Sequence, residues 1–145
     1  MEKQNISIVN RKVKFEYVFL DTYIAGIQLV GTEMKPIRNG KVSLVDSYCF
    51  FNENELFLKN AIINSDDTAY SHVPNRDRKL LLKRTELKKL KRDLTDGLTI
   101  IPYKLFINKH GFVKIEIVLG KGKKLHDKRE TIKKRDIERD LKKIK

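Results

Sequence analysis

Lysine and arginine are the side chains whose number and spacing suggest chemistry in this chain, and that chemistry is the binding of phosphate. Residues 121–145 (the tail) read KGKKLHDKRETIKKRDIERDLKKIK and hold 12 Lys and Arg against 5 Asp and Glu, which is +7 of the chain's net charge of +13. Of the apolar residues in the tail, only Ile137, Leu141 and Ile144 would lie on one face of a helix. A segment this basic and this poor in apolar residues is typical of a polyanion-binding arm, and the simplest polyanion is a nucleic acid.

The tail also has good helix propensity, because Lys, Arg, Glu and Leu dominate it and no Gly or Pro follows Gly122. Glu130 with Lys134, and Glu138 with Lys142, are favourable pairs four residues apart. A single helix of this length is marginal in water. We therefore expect a tail that is disordered when free and helical against phosphate, with a solvated helix that has no partner as the alternative.

Residues that could carry catalysis or hold a metal are sparse. His72, His110 and His126 lie at no metal-ligand spacing. Two of them lie in predicted loops, so solvent-exposed side chains are expected. Cys49, the single cysteine, lies within the apolar run SYCFF, which favours a small buried hydrophobic residue over a nucleophile. No nucleotide-binding or hydrolase motif is present. We expect no enzyme activity, no metal and no cofactor.

Charge and length limit the classes of partner and of organisation. The chain has 145 residues, which predicts one domain plus the tail. Residues 1–120 are also basic, with 20 Lys and Arg against 14 Asp and Glu. This positive charge suits a long anionic partner such as a nucleic acid. A membrane surface is the alternative anionic partner. No apolar run approaches 18 residues and no secretory signal is visible, so we expect no association with a membrane. The single cysteine points to a reducing, cytoplasmic setting, and we expect a monomer.

The elements that must position these cations are mostly strands. Residues 1–12 are expected to be a flexible N-terminus. Residues 14–30 (KFEYVFLDTYIAGIQLV) predict two strands with a bend near Asp21 and Thr22. Thr32 is expected to cap a short helical turn that ends at Asn39 and Gly40.

The second half of the chain predicts two hairpins around a helix. VSLVDSYCFF and ELFLKNAII are expected strands joined by the turn NENE, and a polar loop follows over residues 64–77. RKLLLKRTELKKLKRDLTDG predicts one amphipathic helix from Arg78 to a stop at Gly97. LTIIPYKLFIN and FVKIEIVLG predict a final hairpin around KHG.

This order predicts a mainly β protein with accessory helices: an OB-like antiparallel β-barrel over residues 13–120, followed by the basic tail over residues 121–145. The OB fold commonly displays a nucleic-acid face. A general single-stranded nucleic-acid binder is therefore one reading, but it needs exposed aromatic side chains. Phe50, Phe51, Tyr103 and Phe106 are candidates, although the barrel core is their more common place. A ribosome-bound protein whose tail threads between RNA helices is a further alternative.

Three long motifs carry a resemblance to a known family. GIQLVGTEMKPIRNGKVSLVDSY (residues 26–48), RDRKLLLKRTELKKL (76–90) and GKGKKLHDKRETIKKRD (120–136) occur in this order, and together they closely resemble the small protein B family of bacterial trans-translation. The resemblance implies binding to the tRNA-like domain of tmRNA and delivery of alanyl-tmRNA, with elongation factor Tu, to a stalled ribosome. It also implies that the body mimics a tRNA anticodon arm and that the tail senses the empty mRNA channel at the decoding centre of the small subunit.

The same resemblance implies roles for individual residues. Glu33 matches the family's acidic tmRNA contact; a carboxylate that stabilises a helix start is the alternative. The remaining expected RNA-binding residues are Asn10, Lys12, Lys35, Arg38, Lys41, Arg76, Arg78, Lys79, Lys121, Lys123 and Lys124. The expected ribosome-binding residues of the tail are His126, Asp127, Lys128, Arg129, Lys133, Lys134 and Arg135. The alternative for the tail is nonspecific electrostatic binding, in which only the number of Lys and Arg residues matters.

Overall fold

A computed structural model describes residues 6–65 and 71–123 of the protein. The strands are β1 (Ser7–Val9), β2 (Tyr17–Ile27), β3 (Val42–Ser43), β4 (Tyr48–Asn52), β5 (Glu55–Lys59), β6 (Ile62–Ile63), β7 (Arg78–Leu81), β8 (Leu98–Ile107) and β9 (Val113–Gly122). The helices are α1 (Lys12–Glu16), α2 (Gly31–Arg38) and α3 (Arg84–Asp93).

Six strands close into an antiparallel ring. Their order is β8-β4-β5-β7-β2-β9, and β9 pairs back with β8. Strand β1 adds to β8 outside the ring, and β3 pairs with β6 as a separate two-stranded sheet. The prediction of a mainly β, antiparallel barrel with accessory helices is therefore confirmed.

The barrel core follows the alternation of apolar residues along the strands. On β9, Val113, Ile115 and Ile117 point inward and are buried, as the sequence pattern predicts. Helix α3 adds the fully buried Leu90 to this core. Among the described residues, no helix combines the length and the apolar character that crossing a bilayer requires.

Part of the segment that is expected to be flexible, residues 1–12, belongs to a sheet. From Ser7 onward β1 pairs with β8. Residues 12–16 form α1 rather than the start of a strand, and the expected bend near Asp21 is a β-bulge between Phe19 and Asp21 within one continuous strand. Helix α1 buries Val13 against Ile101 and Val118 in a small second core outside the barrel.

The prediction of one helix from Arg78 is wrong in its first half. Residues 78–81 form β7, in which Leu80 pairs with Leu56 of β5 and with Ile27 of β2. A run of leucines fits a helix or a buried strand equally well, and the tertiary pairing decides between them. The helix then begins at Arg84, where the Glu86 carboxylate accepts a hydrogen bond from the backbone N–H of Lys83 at 3.0 Å.

The predicted turns are largely confirmed. Strands β4 and β5 meet at the NENE turn, and β8 and β9 meet at residues 108–112. There the Asn108 side chain accepts hydrogen bonds from the backbone N–H groups of His110 and Phe112. The expected Thr32 cap is wrong, because α2 already begins at Gly31.

Candidate nucleic-acid interface

One exposed basic surface lies on α2 and the segment that follows it. Lys35, Arg38 and Lys41 point into solvent, and we call these three residues the α2 surface. A cleft of about 200 Å³ is lined by Lys35, Lys41 and Asn64. Backbone hydrogen bonds fix this cleft. The Lys41 N–H donates to the Pro36 carbonyl oxygen, and the Asn64 N–H donates to the Lys41 carbonyl oxygen. Cations beside amide groups can contact phosphate and sugar oxygens without reading base sequence.

A buried ion cluster lies behind the α2 surface. The Glu33 side chain is fully buried and accepts hydrogen bonds from the guanidinium groups of Arg76 and Arg78 and from Val30 N–H at 2.9 Å. Arg78 is also fully buried, and it donates to the carbonyl oxygens of Ala61, Arg76 and Pro74 at 3.0–3.1 Å. The cluster therefore joins the start of α2, the residue directly before β6 and the segment that enters β7.

The electrostatics of the cluster keep it charged. Burial raises the pKa of Glu33, but the hydrogen bonds from Arg76, Val30 and Arg78 outweigh it, so the pKa lies below the ordinary value. Burial also lowers the pKa of Arg78, and the Glu33 carboxylate opposes that shift. A buried pair of this kind is held by its full set of hydrogen bonds rather than by Coulomb attraction alone.

This geometry gives three of the expected RNA-binding residues structural partners, and their contact with RNA stays a prediction. Glu33 and Arg78 are fully buried in this conformation. Arg76 keeps 29% of its side chain exposed, but it also donates to Glu33 and to the Gln28 carbonyl oxygen. The alternative reading of Glu33 as a helix-start carboxylate is correct in part, since its carboxylate accepts the Val30 N–H at the start of α2.

A second basic surface lies around α1, at the base of the tail. Lys12 and Lys121 are exposed, and Lys123 is half-buried. The backbone N–H of Lys123 donates to the carbonyl oxygen of Glu16 at 2.8 Å. We call Lys12, Lys121 and Lys123 the α1 surface. A cleft of about 260 Å³ next to Lys12 is lined by polar and aromatic side chains that include Tyr17 and Tyr48.

Asn10 does not belong to the α1 surface, although it lies beside it. It is 6% exposed, and its side-chain amide donates to the Leu44 carbonyl oxygen at 3.0 Å. This hydrogen bond ties the residue after β1 to the residue after β3 and gives Asn10 a structural role, while its expected contact with RNA stays a prediction. Lys79 lies apart from both surfaces, on the outer face of β7, with its Nζ atom 3.3 Å from a carboxylate oxygen of Glu55.

The remaining expected residues fall outside the described part of the chain. They are Lys124, His126, Asp127, Lys128, Arg129, Lys133, Lys134 and Arg135. Their assignment stays a prediction.

Sequence reasoning missed a third group of cations, on α3. Arg84, Lys88 and Lys91 border a cleft of about 220 Å³ next to Asn54. Lys91 Nζ donates to the Glu53 carbonyl oxygen at 2.7 Å and to the Asn54 side-chain oxygen at 3.0 Å. Their spacing at positions i, i+4 and i+7 places them on one helical face, and that is the signal that would have found them.

Histidine and cysteine show no arrangement for catalysis among the residues that the structure describes. His72 is half-buried rather than exposed, with its ring nitrogens 2.9 Å from the Thr32 hydroxyl and from the Ile63 carbonyl oxygen. Cys49 is buried, and burial raises the pKa of its thiol far above the ordinary value. Within residues 6–65 and 71–123, no three His, Cys, Asp or Glu side chains are grouped to hold a metal ion.

The expectation that the four candidate aromatic side chains lie in the core is confirmed only in part. Phe51 packs against the barrel core, and Tyr103 packs against the small second core. Phe50 instead stacks on Phe57 on the outer face of β4 and β5, and Phe106 lies under Lys104.

Known proteins resemble this chain over nearly its whole length. A family model described as "SmpB protein" matches residues 7–145. An "SsrA-binding protein" of Christiangramia forsetii is 54% identical over 145 residues, covering 98% of this chain and 92% of the relative. An "SsrA-binding protein" of Cytophaga hutchinsonii is 51% identical over 144 residues, covering 97% of this chain and 94% of the relative.

A solved structure also has the same fold. It is described as "tmRNA-SmpB: a journey to the center of the bacterial ribosome", with a TM-score of 0.72 and 38% sequence identity over 88% of this chain and 94% of the solved one. The family match over residues 7–145 includes the barrel, both basic surfaces and the sequence of the tail. The chain therefore belongs to the SmpB family.

Proposed function

We propose that this protein binds tmRNA and acts with it on the bacterial ribosome in trans-translation. The observation that carries the proposal is the match of residues 7–145 to the SmpB family, since this match covers the barrel and the basic tail together. The names of the relatives, "SsrA-binding protein", and the similarity to a tmRNA-SmpB ribosome structure support the same role.

The folded body supplies the tmRNA-binding part of this function. Lys35, Arg38 and Lys41 are exposed and close to one another in sequence, so they neutralise phosphates and fix the position of the RNA. The buried Glu33 and Arg78 act behind them, because they hold α2 against the segment that enters β7. The preferred ligand is a folded tRNA-like domain, whose phosphates a rigid surface can match.

The tail supplies the ribosome-binding part. Lys121 and Lys123 of the α1 surface lead directly into it, so the tail leaves the barrel from a basic region. We assign residues 13–120 to the tmRNA-binding barrel and residues 121–145 to a segment that folds as a helix in the empty mRNA channel next to the decoding centre. An mRNA in that channel would exclude the tail, and the protein therefore senses a vacant channel.

The protein forms and breaks no covalent bond in this role. It delivers alanyl-tmRNA together with elongation factor Tu, stands where the anticodon arm of a tRNA would be, and works as a monomer in the cytoplasm. A general single-stranded nucleic-acid binder is the less favoured alternative, because the family match concerns a partner that is a structured RNA.

The direct test is binding of the full-length protein to the tRNA-like domain of tmRNA at near-physiological salt. Single-stranded RNA of equal length serves as the competitor. We expect tight binding that the competitor displaces poorly, since phosphates held in a fixed array suit a rigid surface better than a flexible strand does. Equal affinity for the two RNAs would contradict the proposal.

A further inference from the structure

Three aromatic rings form a ladder on the outer face of the β4–β5 hairpin. Phe50 of β4 lies opposite Phe57 of β5, with ring centroids 5.7 Å apart and planes inclined by 24°. Tyr48 continues the ladder, with its ring centroid 6.4 Å from that of Phe50. The neighbouring Cys49 and Leu58 point to the opposite face and fill the core. We call Tyr48, Phe50 and Phe57 the aromatic platform.

The platform is not part of either buried core. Tyr48 is 37% exposed and the other two rings are half-buried. None of the three rings packs in the barrel core or in the small core under α1, as far as the described residues show. The solvent face of an antiparallel sheet is usually polar. A stacked, open run of rings on that face is therefore accessible to a ligand.

Cations flank the platform on both sides. Lys59 pairs with Tyr48 across the hairpin, and its Nζ atom lies 5.8 Å from the centroid of the Phe50 ring. Lys79 of β7 pairs with Phe57, and Glu55 on this face makes an exposed ion pair with it. An exposed pair of that kind is weak, so Lys79 can exchange its carboxylate for a phosphate.

Rings in a row beside lysines match one class of ligand. The faces of unpaired bases stack on aromatic rings, and the phosphates between the bases contact the lysines. A duplex does not fit, because its base faces are already stacked on one another. We propose that the aromatic platform binds an unpaired RNA segment, with one or two bases stacked on Phe50 and Phe57. This site goes beyond the proposed function and lies apart from the α2 surface, while Tyr48 at its end also lines the cleft next to Lys12 of the α1 surface.

The experiment separates stacking from charge with two ligands of equal phosphate number. Labelled octauridylate and the corresponding abasic octamer are titrated into the full-length protein. We expect octauridylate to bind about tenfold or more tightly, as base–aromatic stacking implies. In the double variant Phe50→Leu/Phe57→Leu this preference disappears, while the affinity for the abasic octamer and the salt dependence are unchanged.

The matched control is Phe112→Leu, which removes a ring that is 65% exposed in the turn between β8 and β9. This variant should keep the preference for octauridylate. Equal binding of both octamers by the unaltered protein would leave the platform to a protein partner or to no partner, and would overturn the proposal. A preference that survives in the double variant would overturn it too.

A second measurement needs no variant, in case the double substitution impairs folding. The unaltered protein is photocrosslinked to an octamer that contains 5-iodouridine, and the crosslinked peptides are identified by mass spectrometry. We expect crosslinks at Phe50 or Phe57. Crosslinks confined to other parts of the chain would contradict the platform and would leave the tmRNA proposal untouched, because that proposal concerns a different surface and a structured RNA.

Discussion

The Nε atom of Arg78 donates a hydrogen bond of 2.7 Å to the Glu33 carboxylate, joining two fully buried side chains that are 45 residues apart in the sequence. This hydrogen bond holds the start of α2 against the strand that begins at Arg78. The exposed cations of the α2 surface follow directly on the same helix and the turn after it. The position of those cations therefore depends on a charged pair that is buried behind them.

Replacing Glu33 should destabilise the protein strongly. Glu33→Ala leaves the buried Arg78 guanidinium without its anion, and we expect the free energy of unfolding to fall by about 3–5 kcal/mol. Urea denaturation followed by circular dichroism measures this change. The control is Glu86→Ala, because Glu86 accepts the N–H at the start of α3 as Glu33 does for α2, but binds no buried arginine. Its expected cost is about 1 kcal/mol. Equal losses would contradict the structural role of the ion cluster.

Acid should weaken the same cluster. The pKa of Glu33 in the folded protein lies below its value in the unfolded chain. Its contribution to stability is therefore complete above the unfolded pKa of about 4.3 and is lost as the pH falls through the folded pKa. We expect the free energy of unfolding to fall less steeply from pH 5 to pH 3 in Glu33→Gln than in the unaltered protein.

The control for the pH experiment is Asp21→Asn. Lys89 is the main cause that lowers the pKa of Asp21, but this ion pair is exposed and screened by solvent. The substitution should change the pH dependence only slightly. If Asp21→Asn changed the pH dependence of the free energy of unfolding as much as Glu33→Gln does, burial of the ion cluster would not be the cause of that dependence.

The α2 surface should account for part of the salt dependence of tmRNA binding. In the triple variant Lys35→Gln/Arg38→Gln/Lys41→Gln, the slope of log K against log salt should become shallower by about 0.7–0.9 for each phosphate that the protein no longer neutralises. The control, Lys104→Gln/Lys114→Gln, removes cations from the outer face of β8 and β9 and should leave the slope close to that of the unaltered protein. If the slope fell equally per removed charge in both variants, net charge alone would determine the salt dependence of binding.

Cys49 should be inert in the folded protein. Its side chain is buried in the barrel core, and burial raises the pKa of the thiol, so very little thiolate forms at neutral pH. We expect a thiol reagent to modify Cys49 only in denaturant, with native modification limited by opening of the barrel. Rapid modification of the native protein would contradict the placement of β4.

Local signals predicted the elements in which pattern and turn chemistry agree. The alternation of Val113, Ile115 and Ile117, with Asn108 and Gly111 before it, predicted the final hairpin correctly, and the NENE turn predicted the β4–β5 hairpin. At residues 78–81 the leucine run fits a helix and a strand equally, and only pairing with β5 and β2 decides for the strand.

Burial of charged and polar residues could not be predicted from the sequence. Glu33 and Arg78 look like surface residues, because each becomes buried only through its partner 45 residues away. Asn10 likewise finds its partner at Leu44. For the adjacent Phe50 and Phe51, one ring must point inward and the other outward, and the register with β5 makes this choice.

The central claim is that the body binds tmRNA and that the tail acts on the ribosome. Deletion of residues 127–145 tests it most directly, in a reconstituted reaction that measures tmRNA-dependent peptide tagging on ribosomes stalled without a codon. We predict that the shortened protein binds the tRNA-like domain as tightly as the full chain and supports no tagging. Tagging at the level of the full-length protein would contradict the account.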